Sequence, residues 1–218
     1  MKTLLSLIAI TVLSNVLIAG NAHRGTHSFQ SRDFDKVEQL KCDANITSTL
    51  PLYELSYEQQ EDIEFMYQEE KMARDVYLTF YEKYGLSLFK NIATSEQKHM
   101  DAVKSLLDKY SLDVAIDEEN IGDYVDPDLQ ALYAQLTEQG METLEEALKV
   151  GQTIENVDID DLIATIETAN EDAKIVFEQL KFASYKHLDA FTKTLNADNE
   201  VGTKNSKRGS RKSKGFSR

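Results

Sequence analysis

Apolar side chains recur at alternating spacings of three and four residues in two long segments of the first half of the chain, as in amphipathic helices. Ser56 with Gln59 forms a capping box, and the helix it predicts ends at Gly85. Its buried stripe is Ile63, Met66, Glu70, Ala73, Tyr77, Phe80 and Tyr84. Ser87 is predicted to cap the second helix, whose stripe is Phe89, Ile92, Glu96, His99, Val103, Leu106 and Tyr110. Only Gly85 and Leu86 connect the two helices, and so short a connection predicts that the helices form an antiparallel pair.

The second half predicts one short and two long helices. After an acidic, solvated loop from about Ser111 to Val125, Asp126 and Pro127 begin a short crossover helix that ends near Gly140. Thr143 caps a third long helix, which ends near Asn170 and carries Leu144, Leu148, Gly151, Glu155, Asp158, Leu162 and Ala169. The fourth carries Val176, Phe177, Leu180, Ala183, Ser184, His187, Ala190, Phe191 and Thr194. This pattern predicts an all-α, ferritin-like four-helix bundle with a long crossover containing a short extra helix.

The segments that flank the predicted bundle have a different composition. Lys2, an apolar run over residues 4–17 and small residues up to Ala22 predict a signal peptide over residues 1–22, and hence export to a periplasmic or extracellular location. An apolar run below about 20 residues favours cleavage near Ala22 over a retained anchor, which stays the alternative. Residues 23–51 are predicted to be a flexible lead-in, residues 52–196 the helical domain, and residues 197–218 a disordered basic tail.

The net charge of −14 is unevenly distributed along the chain. All seven charged residues after Thr203 are basic, so the predicted helical domain is more acidic than the chain as a whole. An acidic domain attracts cations and repels nucleic acid, so no specific nucleic-acid partner is expected. The tail either contacts anionic envelope components or serves only solubility. The formation of a homodimer is a separate possibility that the sequence leaves open.

Cys42 is the only cysteine, which restricts the possible metal chemistry. An internal disulfide and a cysteine-based zinc or iron–sulfur centre are both excluded. Any metal must therefore be bound by oxygen and nitrogen.

Charged residues interrupt all four apolar stripes, and they are the candidate ligands: Glu70, Glu96, His99, Glu155, Asp158 and His187. A buried ion without a partner costs several kcal/mol, whereas two divalent cations would balance the four carboxylates. His99 follows Glu96 by three residues, which places both on one helical face. The remaining histidines, His23 and His27, lie in the lead-in.

Three of the four carboxylates also have an alternative that involves no metal. Glu70 precedes Arg74 by four residues, the spacing of a surface ion pair, and Glu69 could exchange roles with Glu70. Glu155 and Asp158 could lie on a solvent face, and Asp158 could cap a turn. The alignment of all these residues on the apolar stripes favours a common buried site.

The motifs resemble the rubrerythrin branch of the ferritin-like superfamily, over roughly residues 52–195, and most closely a prokaryotic ferritin-like family of unknown function. Glu70, Ala73 and Tyr77 are similar to the first-helix motif of that branch, and the second-helix Glu-x-x-His motif is the most specific match. That match consists of Phe89, Ile92, Ala93, Glu96 and His99. Glu155 and Asp158 resemble the paired acids of the third helix, with Asp in place of the second Glu. His187 and Phe191 resemble the end of the fourth-helix motif.

The resemblance implies a centre of two iron ions that reacts with O₂ or peroxide, as in an oxidase, peroxidase or ferroxidase. Tyr77 is expected to supply a proton or an electron as a catalytic residue. Ser184 departs from the family pattern, which has Glu at that position. If Asp158 compensates, an asymmetric two-iron site follows; otherwise a mononuclear or zinc-filled site does, and manganese is a further alternative. The alternatives to an enzyme are a metal-binding or cell-envelope interaction bundle without catalysis, and a metal-free structural bundle.

Overall fold

Every regular element in the part of the chain that the structure describes is a helix. The computed structural model describes residues 47–211, without the side chains of Thr49 and of residues 198–211. Five α-helices follow a short 3₁₀ helix, Thr47–Thr49. They are α1 (Tyr57–Tyr84), α2 (Ser87–Tyr110), α3 (Pro127–Gly140), α4 (Leu144–Thr168) and α5 (Glu171–Arg211). No strand occurs in residues 47–211, so the predicted all-α class is confirmed.

Side-chain caps fix three of the helix starts where the sequence predicted them. Ser56 and Gln59 make both hydrogen bonds of the capping box at α1. Asp126 accepts hydrogen bonds from two backbone N–H groups of α3, and the Thr143 hydroxyl accepts one from the backbone N–H of Glu146 in α4. These contacts satisfy N–H groups that have no partner within their helix.

The predicted cap at Ser87 is wrong. Ser87 is the first residue of α2, and the N-cap is Leu86, which makes no side-chain capping bond. Gly85 ends α1 in the left-handed conformation with φ 65°, and only Leu86 then remains in an extended conformation between the helices. The connection is one residue too short for Ser87 to cap.

The four long helices pack in two pairs around one interior. α1 lies along α2 and α4 along α5, and contacts of α1 with α4 and of α2 with α5 join the pairs. α3 packs on α1 and α4. Two apolar clusters fill the interior: one contains Phe80, Phe89, Leu148 and Phe191, and the other contains Met66, Met100, Leu162 and Phe177. The predicted ligand positions lie between these clusters along every long helix.

A buried ion network attaches the crossover loop to the outer side of α1. Asp75 accepts hydrogen bonds from Lys71, Arg74, the Tyr124 hydroxyl and the backbone N–H of Gly122. Arg74 therefore pairs with Asp75, and the alternative surface pair with Glu70 is wrong. The acids of the loop, Asp117, Glu119 and Asp123, are exposed as the solvated-loop prediction requires, whereas Tyr124 is buried.

Both predicted flanking boundaries differ from the helix bounds. Thr47 is buried, and Lys109 donates hydrogen bonds to the carbonyls of Thr47 and Leu50, so packing begins before Pro51. α5 continues past residue 196 to Arg211. Residues 1–46, with the predicted signal peptide and most of the lead-in, and residues 212–218 lie outside the described residues, so their predicted states stay predictions. Within the described part of the chain, no helix combines the length and apolarity that crossing a membrane requires.

Candidate metal centre

All six predicted ligand residues are buried in the layer between the two apolar clusters. α1 contributes Glu70, α2 contributes Glu96 and His99, α4 contributes Glu155 and Asp158, and α5 contributes His187; none of them is more than 8% exposed. Ligand atoms of five of these residues form two groups suited to a metal ion, in each of which all atoms lie within 4.8 Å of one another. One group is Glu70, Glu96 and His99, and the other is Glu96, Glu155 and His187.

Glu96 belongs to both groups because its two oxygens face different histidines. Its Oε2 lies 2.7 Å from Nδ1 of His99, and its Oε1 lies 3.0 Å from Nδ1 of His187. The two imidazole rings are stacked, with centroids 5.6 Å apart. A carboxylate with one nitrogen ligand at each oxygen has the arrangement of a bridge between two ions.

Each half of the centre has one further carboxylate. Oε2 of Glu70 lies 3.1 Å from Nδ1 of His99, and Oε2 of Glu155 lies 3.4 Å from Nδ1 of His187. The Tyr77 hydroxyl donates a 2.6 Å hydrogen bond to Oε1 of Glu155, which holds that carboxylate in place. The two halves are thus similar in donors, and Tyr77 is present in only one.

Several buried ligand atoms lack a hydrogen-bond partner. They are Oε1 of Glu70, Oε1 of Glu96, Oδ1 of Asp158 and Nδ1 of His187. Oε1 of Glu96 and Nδ1 of His187 are close, yet they are not aligned for a hydrogen bond. Buried polar atoms are nearly always partnered, and these converging atoms are free to act as ligands of a cation. Carboxylate oxygen and imidazole nitrogen are donors that iron, manganese and zinc accept, so this set fits a di-metal centre.

The pKa values describe how the cluster holds protons when metal is absent. Burial raises the pKa of Glu70 to about 7 against the opposing effect of His99. Burial disfavours the charged form of His187, but the carboxylates of Glu96 and Glu155 outweigh it and raise the pKa to about 10. Glu96 has the opposite shift: despite burial, His187 and His99 lower its pKa. Without metal, protonated histidines therefore take the place of cations beside Glu96.

Asp158 lies beside the two groups without belonging to either. It is 6% exposed, and burial together with Glu70 and Glu155 raises its pKa well above the ordinary value. The Ser184 hydroxyl lies near its carboxyl group and opposes this rise in pKa, although it donates its hydrogen bond to the Leu180 carbonyl. The small side chain at position 184 thus faces an acid supplied by the opposite helix.

Sequence reasoning missed a second pair of acids next to the centre, of which Glu69 is buried and Asp161 is half-buried. Glu69 is 2% exposed and interacts with Asp161 of α4, whereas Glu70 interacts with His99, so the two adjacent glutamates do not exchange roles. The only signal in the sequence was that Asp161 follows Asp158 by three residues, on the same face of the helix.

Comparison with known proteins identifies relatives that share this helical domain. Residues 59–210 match the family described as "Uncharacterized protein domain (DUF2202)". The chain belongs to the DUF2202 family.

One relative of this DUF2202 chain is the "Uncharacterized protein MJ0754" of Methanocaldococcus jannaschii. It is 49% identical over 150 residues, which cover 68% of this chain and 81% of the relative. The crystal structure of the hypothetical protein MJ0754 from Methanococcus jannaschii is similar, with a TM-score of 0.67 and 46% identity. The structural match covers 69% of this DUF2202 chain and 86% of the solved chain. The similarity therefore extends over the helices that carry the candidate ligands.

Proposed function

We propose that the chain is an exported, ferritin-like four-helix protein that binds two iron ions and uses them to reduce O₂ or peroxide. One observation carries the proposal: Glu96 lies between two buried histidines, each accompanied by a further glutamate. Two groups that share one carboxylate correspond to two neighbouring ions. Bound ferrous ions would supply the electrons for oxidase, peroxidase or ferroxidase chemistry.

The protein residues have distinct roles in this proposal. Glu70 and His99 would hold one ion, Glu155 and His187 would hold the other, and Glu96, which faces both histidines, would serve both. Asp158 supplies the fourth carboxylate where the resemblance leads one to expect a glutamate at position 184. Its unpartnered Oδ1 and the small Ser184 beside it support this compensation.

Tyr77 is the candidate proton donor. Burial and the neighbouring Glu155 raise the pKa of Tyr77 well above its ordinary value, so its hydroxyl keeps its proton at neutral pH. That hydroxyl touches Glu155 and is buried completely. Tyr77 can therefore orient Glu155 while water is excluded. Because a raised pKa makes the phenol a weaker acid, its role as proton donor rests on this contact with the centre and not on its pKa.

A direct experiment is to load metal-free protein anaerobically with ferrous iron, count the bound ions and add peroxide or O₂. The proposal predicts two irons per chain, a near-ultraviolet absorption band after oxidation, and oxidant consumption that scales with iron content. Glu167→Gln, which alters an exposed acid of α4, is the matched control and should behave as wild type.

The same ligands support a non-catalytic alternative, a bundle that only binds metal or interacts with the cell envelope. Neither zinc nor manganese is excluded by carboxylate and imidazole donors. Two tightly bound ions without any consumption of O₂ or peroxide would favour this alternative over the enzyme. Absence of metal binding would contradict both metal-binding proposals.

A further inference from the structure

Four residues, one from each long helix, lie next to the candidate centre on the ligand-bearing faces of their helices. They are Tyr77, Phe89, Gly151 and Phe191. Each lies four or seven residues from a proposed ligand of its own helix, a spacing that places both on one helical face. The three aromatic side chains are 0% exposed, and they belong to one apolar cluster.

The ring of Phe191 contacts both other aromatic rings. Its centroid lies 5.3 Å from that of Tyr77 and 5.9 Å from that of Phe89, and the rings are tilted by 43° and 44°. Such distances are those of attractive aromatic pairs. Because protein interiors are closely packed, a buried ring cannot move without moving its neighbours. The place of Phe191 therefore constrains the ring of Tyr77.

Gly151 leaves the space that Phe191 occupies. A Cβ atom at this position would lie 2.6 Å from Cε1 and Cζ of Phe191 and 2.8 Å from Cδ1, closer than real Cβ atoms approach. A 2.8 Å hydrogen bond from the Gln152 amide to the Thr192 hydroxyl joins α4 and α5 beside this contact. Glycine destabilises the interior of a helix relative to alanine, so Gly151 is explained by the ring and not by its helix.

Tyr77 connects this packing to the centre. Its ring packs against Phe191, and its hydroxyl donates a 2.6 Å hydrogen bond to Oε1 of Glu155. Glu155 follows Gly151 by four residues in α4, so the acceptor and the glycine lie on the same face of one helix. The contacts thus run from the backbone of α4 through Phe191 and Tyr77 back to α4.

We infer that Gly151 and Phe191 are positioning residues that hold the Tyr77 hydroxyl on Glu155. The inference deepens the proposed function, on which its kinetic consequence rests, whereas the hydrogen bond itself is a property of the metal-free protein. An alanine at position 151 displaces the Phe191 ring. Since that ring is enclosed, the displacement passes to Tyr77, and a shift of about 1 Å at a reacting group can slow a reaction about 100-fold.

A double-mutant cycle in metal-free protein tests the positioning without any reaction. Urea unfolding should show that Tyr77→Phe raises the unfolding equilibrium constant about tenfold in the wild-type background, because a buried hydrogen bond is lost. In Gly151→Ala the same substitution should have an effect of less than about twofold, since the bond is already broken.

Rescue by volume compensation separates positioning from a general loss of packing. Phe191→Leu combined with Gly151→Ala should restore the tenfold effect of Tyr77→Phe, because the smaller side chain leaves room for the added methyl group. Gly140→Ala is the matched control: its Cβ would overlap the ring of Phe80, which is equally buried in the same cluster. The Tyr77→Phe effect should stay tenfold there, and its loss in Gly140→Ala would overturn the inference.

Phe191→Leu alone tests the inference if Gly151→Ala does not fold. Without the aromatic ring, Tyr77 is held less firmly, and the effect of Tyr77→Phe should fall to about threefold. An effect that stays at about tenfold in Phe191→Leu would overturn the inference.

Oxidant consumption by the iron-loaded protein is the second readout. Gly151→Ala should bind two irons and react about 100-fold more slowly than wild type, and Gly151→Ala with Tyr77→Phe should be no slower than Tyr77→Phe alone. A Tyr77→Phe effect on unfolding that is equal in wild type and Gly151→Ala overturns the inference and leaves the proposed function intact. The predicted unfolding cycle in a protein that consumes no oxidant supports the positioning and contradicts the proposed function.

Discussion

At the scale of single residues, the acids of the centre differ in what faces them. Glu96 has a histidine at each oxygen and a lowered pKa, whereas Glu70, Glu155 and Asp158 have raised pKa values because burial dominates. The residue that bridges the two groups is therefore the one that is ionised most readily. It is also the residue whose loss would affect both proposed metal positions.

Glu96→Gln should reduce iron from two ions per chain to none, because glutamine removes the bridging charge. His187→Ala should retain one ion, held by Glu70, Glu96 and His99. Metal analysis after anaerobic loading measures both, with Glu167→Gln as the control. Equal iron content in Glu96→Gln and wild type would contradict the bridging role.

Tyr77→Phe should keep both irons but slow oxidant consumption by about 100-fold, as expected for loss of a general acid. The substitution removes the hydrogen bond to Glu155 without opening a cavity. Tyr84→Phe is the matched control, since that hydroxyl donates to the Gly140 carbonyl outside the centre. A Tyr77→Phe rate equal to that of wild type would remove Tyr77 from the mechanism.

The sequence was informative about residues on the apolar stripes and uninformative about those beside them. Every predicted ligand is buried, because a charge within a heptad-like stripe must point inward. Lys71 and Asp75 resemble a solvent-exposed ion pair in the sequence. Their burial comes from the crossover loop, which has no periodicity to reveal where it packs. The sequence did not show whether Glu69 or Glu70 faces the centre, because that depends on where the neighbouring helices lie.

At the scale of helices, local signals located the elements better than their ends. Capping residues and left-handed Gly85 gave the bounds of α1, and Pro127 gave the start of α3. The predicted N-cap of α2, Ser87, lies one residue after the observed N-cap, Leu86. The sequence does not show how the short connection is divided between the end of α1 and the cap of α2. How the helices pair depends on contacts between distant segments, which single-helix patterns do not specify.

Ser56→Ala and Ser87→Ala should therefore differ in their effects on stability. Ser56→Ala removes a capping box and should lower the free energy of unfolding by about 1 kcal/mol. Ser87→Ala removes no capping bond and should change it by less than about 0.5 kcal/mol. Urea unfolding of both variants provides the measurement. Equal losses would restore Ser87 as a cap.

At the scale of the whole molecule, the buried polar layer should make stability depend on pH. The pKa values of Glu70 and Asp161 are raised to about 7 and about 6. Each of these groups therefore contributes stability that is complete below about pH 4 and is lost as the pH rises through its raised pKa. The contribution of His187 is complete below pH 6.5 and is lost as the pH rises through about 10. Glu96 acts in the opposite direction, since its pKa is lowered.

The metal-free protein should consequently lose stability between about pH 5 and pH 8, because the contributions of Glu70, Asp161 and His187 decline over this range, whereas that of Glu96 is already complete above its ordinary pKa of 4.5. Metal requires deprotonated ligands, so the stabilisation it adds should increase over the same range. Urea unfolding with chelator and with saturating metal, at both pH values, measures the two trends. A metal-free protein that is more stable at pH 8 would contradict the assignment of these buried acids.

Anomalous diffraction at the iron edge, from crystals of the iron-loaded protein, tests the central claim most directly. The account predicts two iron peaks on opposite sides of the Glu96 carboxylate, about 3.5–4 Å apart. One peak should lie beside His99 and the other beside His187. A single peak, or iron bound only away from Glu96, would contradict it.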